Sequence, residues 1–255
     1  MMAAADLDFG ELELVGRITS ASNATFLGSI GGTGVIYKPV AGELPLWDFP
    51  DGDLARREVA AFLVSQSFGW NVVPRTWLRD GPFGIGMVQL WQDLDPEQNV
   101  VDLVAVDAVP DGWRHVFVDT DEQHQPVALV HEDSPALRRM AVFDIVANNA
   151  DRKGAHVLPL ADGHRHGVDH GLTFHVEHKL RTVLWGWLGE PLNTEELDGI
   201  DRVRAHLAGG LGDALAGLIS DLEIEALDAR CERLRSEGRF PGPHGDMPAM
   251  PWPLF

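Results

Sequence analysis

The hydrophobic pattern of this 255-residue chain changes period once, and that change limits the fold more than any other feature. Up to about residue 92 apolar side chains recur at every second position or in short β-branched runs, and from residue 135 onward they recur at helical spacing. Leu12 to Thr19 and Thr25 to Ile30 alternate apolar with polar residues, and Gly34 to Val40 is a β-branched run with one aromatic. With Asn71 to Leu78 and Ile85 to Gln92 they read as five strands. Asp53 can cap a helix running to Phe68, in which Val59, Phe62, Leu63 and Gln66 keep helical spacing and which Gly69 ends. Further helices are predicted over Pro135 to Asn149, Glu195 to His206, Gly212 to Ile219 and Leu222 to Glu237. A sheet with one helix, followed by a mainly helical part, is an α+β plan of two lobes around a cleft. The proline-containing stretch Asp93 to Asn99 divides them, into an N-terminal lobe over residues 1–95 and a C-terminal lobe over 96–255. The Pro- and Gly-rich tail from Pro241 carries Met250, Trp252, Leu254 and Phe255, and is expected to pack back on the body.

Aspartate and glutamate outnumber lysine and arginine 39 to 20, a formal charge of −19. So acidic a chain lacks the positive field that broad binding to nucleic acid or an anionic membrane needs, and an anionic substrate must meet a local basic cluster. The single cysteine, Cys231, has no intrachain partner, which suits a reducing cytoplasm. No signal peptide and no stretch of membrane-spanning length is visible. Among the 20 basic residues only Lys38, Lys153 and Lys179 are lysines, which singles them out.

The chemistry concentrates in residues 143–174, FDIVANNADRKGAHVLPLADGHRHGVDHGLTF. A helix ends at Asn148-Asn149, Asp151-Arg152 follow in a loop, and Asp162-Gly163 marks a tight hairpin between Ala155 to Leu160 and His164 to Asp169. A turn centred on those two residues sets His156 opposite Asp169, with Asp151 beside the same open end. Two carboxylates and an imidazole at one mouth suit a metal-bound phosphate held beside a group that orients an attacking hydroxyl. Each aspartate could equally do no more than cap a turn. Lys38 lies in the apolar run Val35-Ile36-Tyr37-Lys38-Pro39, where an ammonium is costly without an anionic partner. Glu58, on the following helix, can supply one; the plainer reading is an edge-strand lysine and a solvated glutamate.

These residues carry a resemblance. Asp151-Arg152, a hairpin and then Val168-Asp169-His170-Gly171-Leu172-Thr173-Phe174 resemble the catalytic and metal-binding loops of phosphatidylinositol 3/4-kinases, type II phosphatidylinositol 4-kinases above all. HipA-type kinases and the Golgi casein kinase family share related versions, and Trp185-Gly186-Trp187-Leu188 resembles the aromatic segment after the type II metal loop. Over nearly its full length the chain is similar to an actinobacterial family grouped with the phosphatidylinositol 3/4-kinase domains. The resemblance implies a two-lobed, protein-kinase-like fold and transfer of the γ-phosphate of ATP, with Mg²⁺ or Mn²⁺, to a hydroxyl of a lipid head group, small molecule or protein. It implies Asp151 as catalytic base, Lys38 on the nucleotide phosphates with Glu58 holding it, and Arg152 beside them with Asn149 in support of the loop. Asp169 becomes the metal ligand. Ser20, Ser22, Asn23 and Thr25 would cover the phosphates, and Met87 to Asp93, with Gln89, Leu90 and Trp91, would contact adenine. Where these kinases place a metal-ligating asparagine this chain has His156, a poorer match for Mg²⁺ than for Mn²⁺. That departure keeps open a nucleotide-binding regulatory pseudokinase, and an adenylyl transferase is a further alternative because the sequence does not fix which way ATP is oriented.

Lys179 and Arg181, with His175 and His178 nearby, stand where lipid kinases grip an anionic head group, although solvated loop charges are the plainer reading. Trp185 and Trp187 allow peripheral membrane contact, but tryptophans flanking a glycine are more often packing residues.

Overall fold

The computed structural model describes residues 4–19, 23–44, 46, 49, 53–121, 123–245 and 248–255. After a short helix α1 (Ala4–Phe9), five strands form one antiparallel sheet: β1 (Leu12–Arg17), β2 (Phe26–Ile30), β3 (Thr33–Pro39), β4 (Thr76–Gly81) and β5 (Gly84–Leu90). Their spatial order is β1-β2-β3-β5-β4, so β3 is a central strand. Strand alternation gives the sheet two faces. On one, Val35, Tyr37 and Val88 pack with Leu7, Leu12 and Ile30. On the other, Met87 packs with Ala55 and Val59 of helix α2 (Leu54–Phe68). Lys38 pairs with Met87 across β3 and β5, and direct cross-strand partners share a face, so Lys38 is presented towards α2.

Helix α2 is a wedge. Ten of its 15 residues are buried, because Ala55 and Val59 meet the sheet while Ala60, Val64 and Phe68 enter a second and larger core. That core is built on α3 (Pro135–Ala147), α4 (Thr194–Leu207), α5 (Gly210–Leu215) and α6 (Asp221–Glu237), with Met140, Phe143, Ile200 and Leu227 inside it. Asn193 and Ser220 each close a reciprocal capping box, on Glu196 and Glu223, which fixes where α4 and α6 begin.

Three sequence-based expectations need correction. The region after residue 96 is not simply helical: β6 (Val101–Ala105), β7 (Trp113–Thr120) and β8 (Pro126–Glu132) form a three-stranded antiparallel sheet of order β6-β8-β7. Strand β4 starts at Thr76 rather than Asn71, because Asn71 sits at φ +52° and the Val73 N–H donates to the Ser65 hydroxyl instead of a ladder. The tail does pack back, with Met250 and Leu254 against the core, but Trp252 is 87% exposed.

Trp185 and Trp187 are packing residues. Trp187 is fully buried against His131 and donates to Asp133, and the Trp185 indole donates to the Ala249 carbonyl. Neither is presented to a membrane. Gly186 between them has a tertiary reason, since a Cβ there would collide with the His131 ring. His131 Nε2 accepts the Gly186 N–H at 3.0 Å and Nδ1 lies 2.8 Å from the Glu132 carbonyl, which fixes the neutral Nδ1–H tautomer.

Burial pushes the His131 pKa down to about 4. An unfolded histidine takes its proton near pH 6.5, so this group's contribution to stability is complete above that pH and is lost as pH falls towards 4. Thermal unfolding followed from pH 7 to 4.5 should show the loss, up to about 1.4 kcal/mol per pH unit. A His131→Gln variant should have a flatter profile; equal slopes would show that His131 is not the source.

Candidate functional site

Ser134 caps α3 by accepting the Leu137 N–H at 3.2 Å, and the helix stops at Asn148, whose φ of +54° turns the chain out of helical geometry. Asn149 then reaches back to Asp144 through its amide at 2.9 Å and accepts the Asp151 N–H at 3.0 Å. Arg152 follows and is fully buried. Its five N–H donors are all used: Nε and Nη2 meet Asp144 at 2.8 Å each, Nη1 donates to the carbonyls of His156 and Val168, and Nη2 donates to His170 Nε2 at 2.7 Å. Arg152 therefore lies outside the cleft, although the sequence groups it with the catalytic residues, and its contacts are those of the supporting, loop-positioning role the resemblance implies for it. Gly167 allows this arrangement, because a Cβ there would lie 2.8 Å from Arg152 Nη2.

The hairpin that Arg152 grips consists of β9 (Val157–Pro159) and β10 (Arg165–Gly167), with His166 opposite Leu158 and Gly167 opposite Val157. This register is one residue away from the expected one. The turn closes with the Leu160 N–H on the His164 carbonyl, leaving three residues in the loop with Gly163 at φ +86°. The His156 carbonyl thus accepts from the Val168 N–H, while its ring still reaches Asp169, with Nε2 at 3.5 Å from Oδ2.

Asp169 itself sits at φ +62°, and that conformation brings its carboxylate to Lys38, Nζ to Oδ1 2.7 Å. Lys38 also holds Glu58 Oε1 at 2.6 Å, and the other Glu58 oxygen accepts the His170 N–H at 3.1 Å. Sheet, helix α2 and hairpin loop are thereby joined by three charges. Burial pushes the Lys38 ammonium down, but Asp169 and Glu58 outweigh it and hold its pKa above the ordinary lysine value. The same ammonium keeps Asp169 well below the usual carboxylate range. Burial raises Glu58, against the pull of Lys38.

Asp151 completes the group. It lines a cavity of about 150 Å³ together with Lys38, Glu58, Asp169, Asn23 and Leu172. Burial raises its pKa, while the Lys153 ammonium, 3.2 Å from Oδ2, opposes the rise. Lys153 had only its scarcity as a lysine to mark it in the sequence. The His156 Nδ1 lies 2.9 Å from the Asp151 carbonyl and must donate to it, so in the neutral ring Nε2 turns a bare lone pair towards Asp169. Burial lowers the His156 pKa and keeps that neutral form. A lone pair facing a carboxylate invites a cation between them, and a backbone carbonyl on the opposite nitrogen is how metal-ligating histidines are held. Among the described residues no group of three or more His, Cys, Asp or Glu side chains is gathered for a metal. An ion here would therefore have two protein ligands and complete its shell from a ligand or water.

The remaining expected residues divide. Ser20 and Ser22 lie outside the described residues. Asn23 lines the cavity, where its side chain accepts the Leu44 N–H at 2.9 Å, but Thr25 is buried with its hydroxyl on the Asn23 carbonyl. Gln89 is buried and donates to Thr76, Leu90 packs beside Val35 and Val88, and Trp91 covers Gly34 and donates to Asp93. None of those three lines the cavity. Lys179 pairs with Glu177 and is buried, and Arg181 donates to the Ala150 carbonyl.

The chain is 50% identical over 259 residues to Protein Rv2133c of Mycobacterium tuberculosis (strain ATCC 25618 / H37Rv), an alignment covering 96% of this chain and 93% of that protein. No family model matches. Among solved structures, that of the Helicobacter pylori proinflammatory kinase CtkA aligns over 92% of this chain and 94% of that one, at 13% identity and a TM-score of 0.47.

The Arg152–Asp144 pair is fully buried on both sides, so removing one charge leaves the other without compensation. Asp144→Asn should lower stability by about 3–5 kcal/mol in denaturant unfolding. A loss under about 1 kcal/mol would show that the loop does not rest on this pair.

Proposed function

We infer that this chain, which belongs to the same family as Protein Rv2133c, is a kinase-like, ATP-dependent phosphotransferase that delivers the γ-phosphate to a hydroxyl on a lipid head group, small molecule or protein side chain. The observation that carries the reading is the convergence of Lys38, Glu58, Asp151 and Asp169 on one cavity from a central strand, a helix and two loops. A lysine shared by two carboxylates, facing a third across a cleft, is what phosphate binding beside a base requires.

Each residue then has a task. Lys38, kept charged and aimed by Glu58, holds phosphate oxygens; Asp169 and His156 would hold the divalent ion, Mg²⁺ or Mn²⁺. Bound nucleotide and ion supply the transferable phosphoryl group and the positive charge that offsets its oxygens. Asp151 takes the proton of the attacking hydroxyl, and burial brings its basicity closer to neutrality, where a general base works best. Lys153 steadies the Asp151 anion from 3.2 Å. Asn149 and the His156 ring fix the Asp151 backbone through its N–H and its carbonyl, so the carboxylate has a defined position.

With purified protein, ATP plus Mg²⁺ or Mn²⁺ should raise the melting temperature by mass action, and no shift at millimolar nucleotide with either ion would overturn the reading. Asp151→Asn should keep that shift and lose turnover by roughly 10²- to 10⁴-fold, whereas Asp169→Asn should lose the shift itself. Incubation with γ-labelled and α-labelled ATP in host lysate and lipid extract identifies the acceptor class, and transfer of α-label alone would replace phosphoryl by adenylyl transfer. In a further variant, His156→Asn, metal preference should move from Mn²⁺ towards Mg²⁺, as an amide oxygen replaces an imidazole. An unchanged preference would leave Asp169 as the one protein ligand in this reading.

A further inference from the structure

The helical part carries a second cavity, of about 530 Å³, that shares no lining residue with the Lys38 cleft. Its walls are largely apolar, with Ile145, Leu180, Leu188 and Phe240, while its charged residues are Arg230, Arg233 and Arg239 against Glu237 alone. In a chain of formal charge −19 this is a local reversal of sign. Among the described residues neither the Arg233 nor the Arg239 side chain has a hydrogen-bond or ion-pair partner. Arg230 is buried, with Nε on the Val146 carbonyl at 2.8 Å, Nη1 on the His175 carbonyl at 3.2 Å and Nη2 without a partner. Carbonyls orient a guanidinium but do not neutralise it, and burial pushes its pKa down to about 10. His178 and His244 stack at 3.6 Å along the same lining, and burial holds His178 to about 4, so at neutral pH that ring adds surface rather than charge.

A buried cation with no ion-pair partner, two free guanidiniums and an apolar hollow of ligand size together lack one thing, an anion with an apolar body. We propose that this cavity binds an organic anion, a carboxylate or phosphate head on an apolar chain or ring, with Arg233 and Arg239 gripping the head and Leu180, Leu188 and Phe240 covering the body. Guanidinium forks match the oxygens of both heads, which is why the shared chemistry and not one head is assigned. The site is independent of nucleotide chemistry at Lys38.

Isothermal titration of the full chain with octanoate, octyl phosphate, octanol and inorganic phosphate tests it. At least one octyl anion should bind about tenfold or more tightly than octanol and than inorganic phosphate. The Arg233→Gln/Arg239→Gln variant should weaken that binding about tenfold or more, and Leu188→Asp should do so by repulsion at the lining. All three side chains are exposed, so melting temperatures should stay at the parent value and report that the fold is kept. Equal binding of octanol would reduce the cavity to an apolar groove, equal binding of inorganic phosphate would reduce it to an anion patch, and an unchanged double variant would place binding elsewhere. Each of those overturns the proposal. Sedimentation with phosphatidylglycerol vesicles runs in parallel: octyl-anion binding supports the proposal with or without vesicle capture, which tells a lipid source from a soluble one. Vesicle capture without octyl-anion binding would indicate a membrane surface and overturn it.

Discussion

Arg152 has five donors and no access to water, and the geometry of the cleft follows from where those donors go. Two meet the Asp144 carboxylate of α3, two meet the carbonyls of His156 and Val168, and one meets the His170 ring. Both hairpin strands and the loop after them are thus registered on the helix that ends just before Asp151. Each buried carbonyl would cost free energy if left unpaired, so the arrangement has few ways to relax. His170 bears the residual cost: its Nε2 accepts from Arg152, the proton must sit on Nδ1, and Nδ1 has no partner among the described residues.

The second constraint joins this platform to the sheet. Helix α2 packs on both, and Glu58, near the start of the helix, touches both through one carboxylate, with Lys38 on Oε1 and the His170 N–H on Oε2. A buried carboxylate tolerates that position because a charge and a backbone dipole share it. Arg57, its neighbour, pairs with Glu223 of α6 at 2.7 Å and donates to the Thr173 carbonyl, fixing the same helix to the helical core. The depth of the cleft is set by these contacts, and no loop has to close to bring Lys38 to Asp169.

Much of this was legible because charge in an apolar run is expensive. Lys38 in β3 needed an anionic partner if it was not an edge-strand lysine, Glu58 stood on the next helix, and the two meet at 2.6 Å. The hairpin was legible from Asp162-Gly163, but its register was not, because a three-residue loop and a two-residue turn share the same Asp-Gly signal. The three-stranded sheet was hidden by its own exposure: β6 buries only Val101 fully and leaves the apolar Leu103 and Ala105 exposed, which blurs a five-residue alternation. Gly186 was legible as a glycine but not as a contact, since what excludes a side chain there is His131, 55 residues away. Trp91, Gln89 and Leu90 were assigned by their place in the chain, and strand parity sends Leu90 to the opposite face of the sheet.

The backbone of Asp169 shows what the site gives up for its geometry. At φ +62° an L-residue other than glycine is strained, and glycine would relieve that strain at no steric cost. Aspartate is among the side chains that tolerate the region best, yet tolerance does not explain its presence. The conformation is held from outside: the Val168 carbonyl is fixed by Arg152, the His170 N–H by Glu58, and Lys38 draws the carboxylate inward. Neighbours on both sides thus over-determine one strained residue, and what the strain secures is a carboxylate facing a lysine and an imidazole lone pair. The ion pair with Lys38 offsets part of that strain as stability, and under the proposed phosphotransfer the same carboxylate would be the ligand that holds the cation against phosphate.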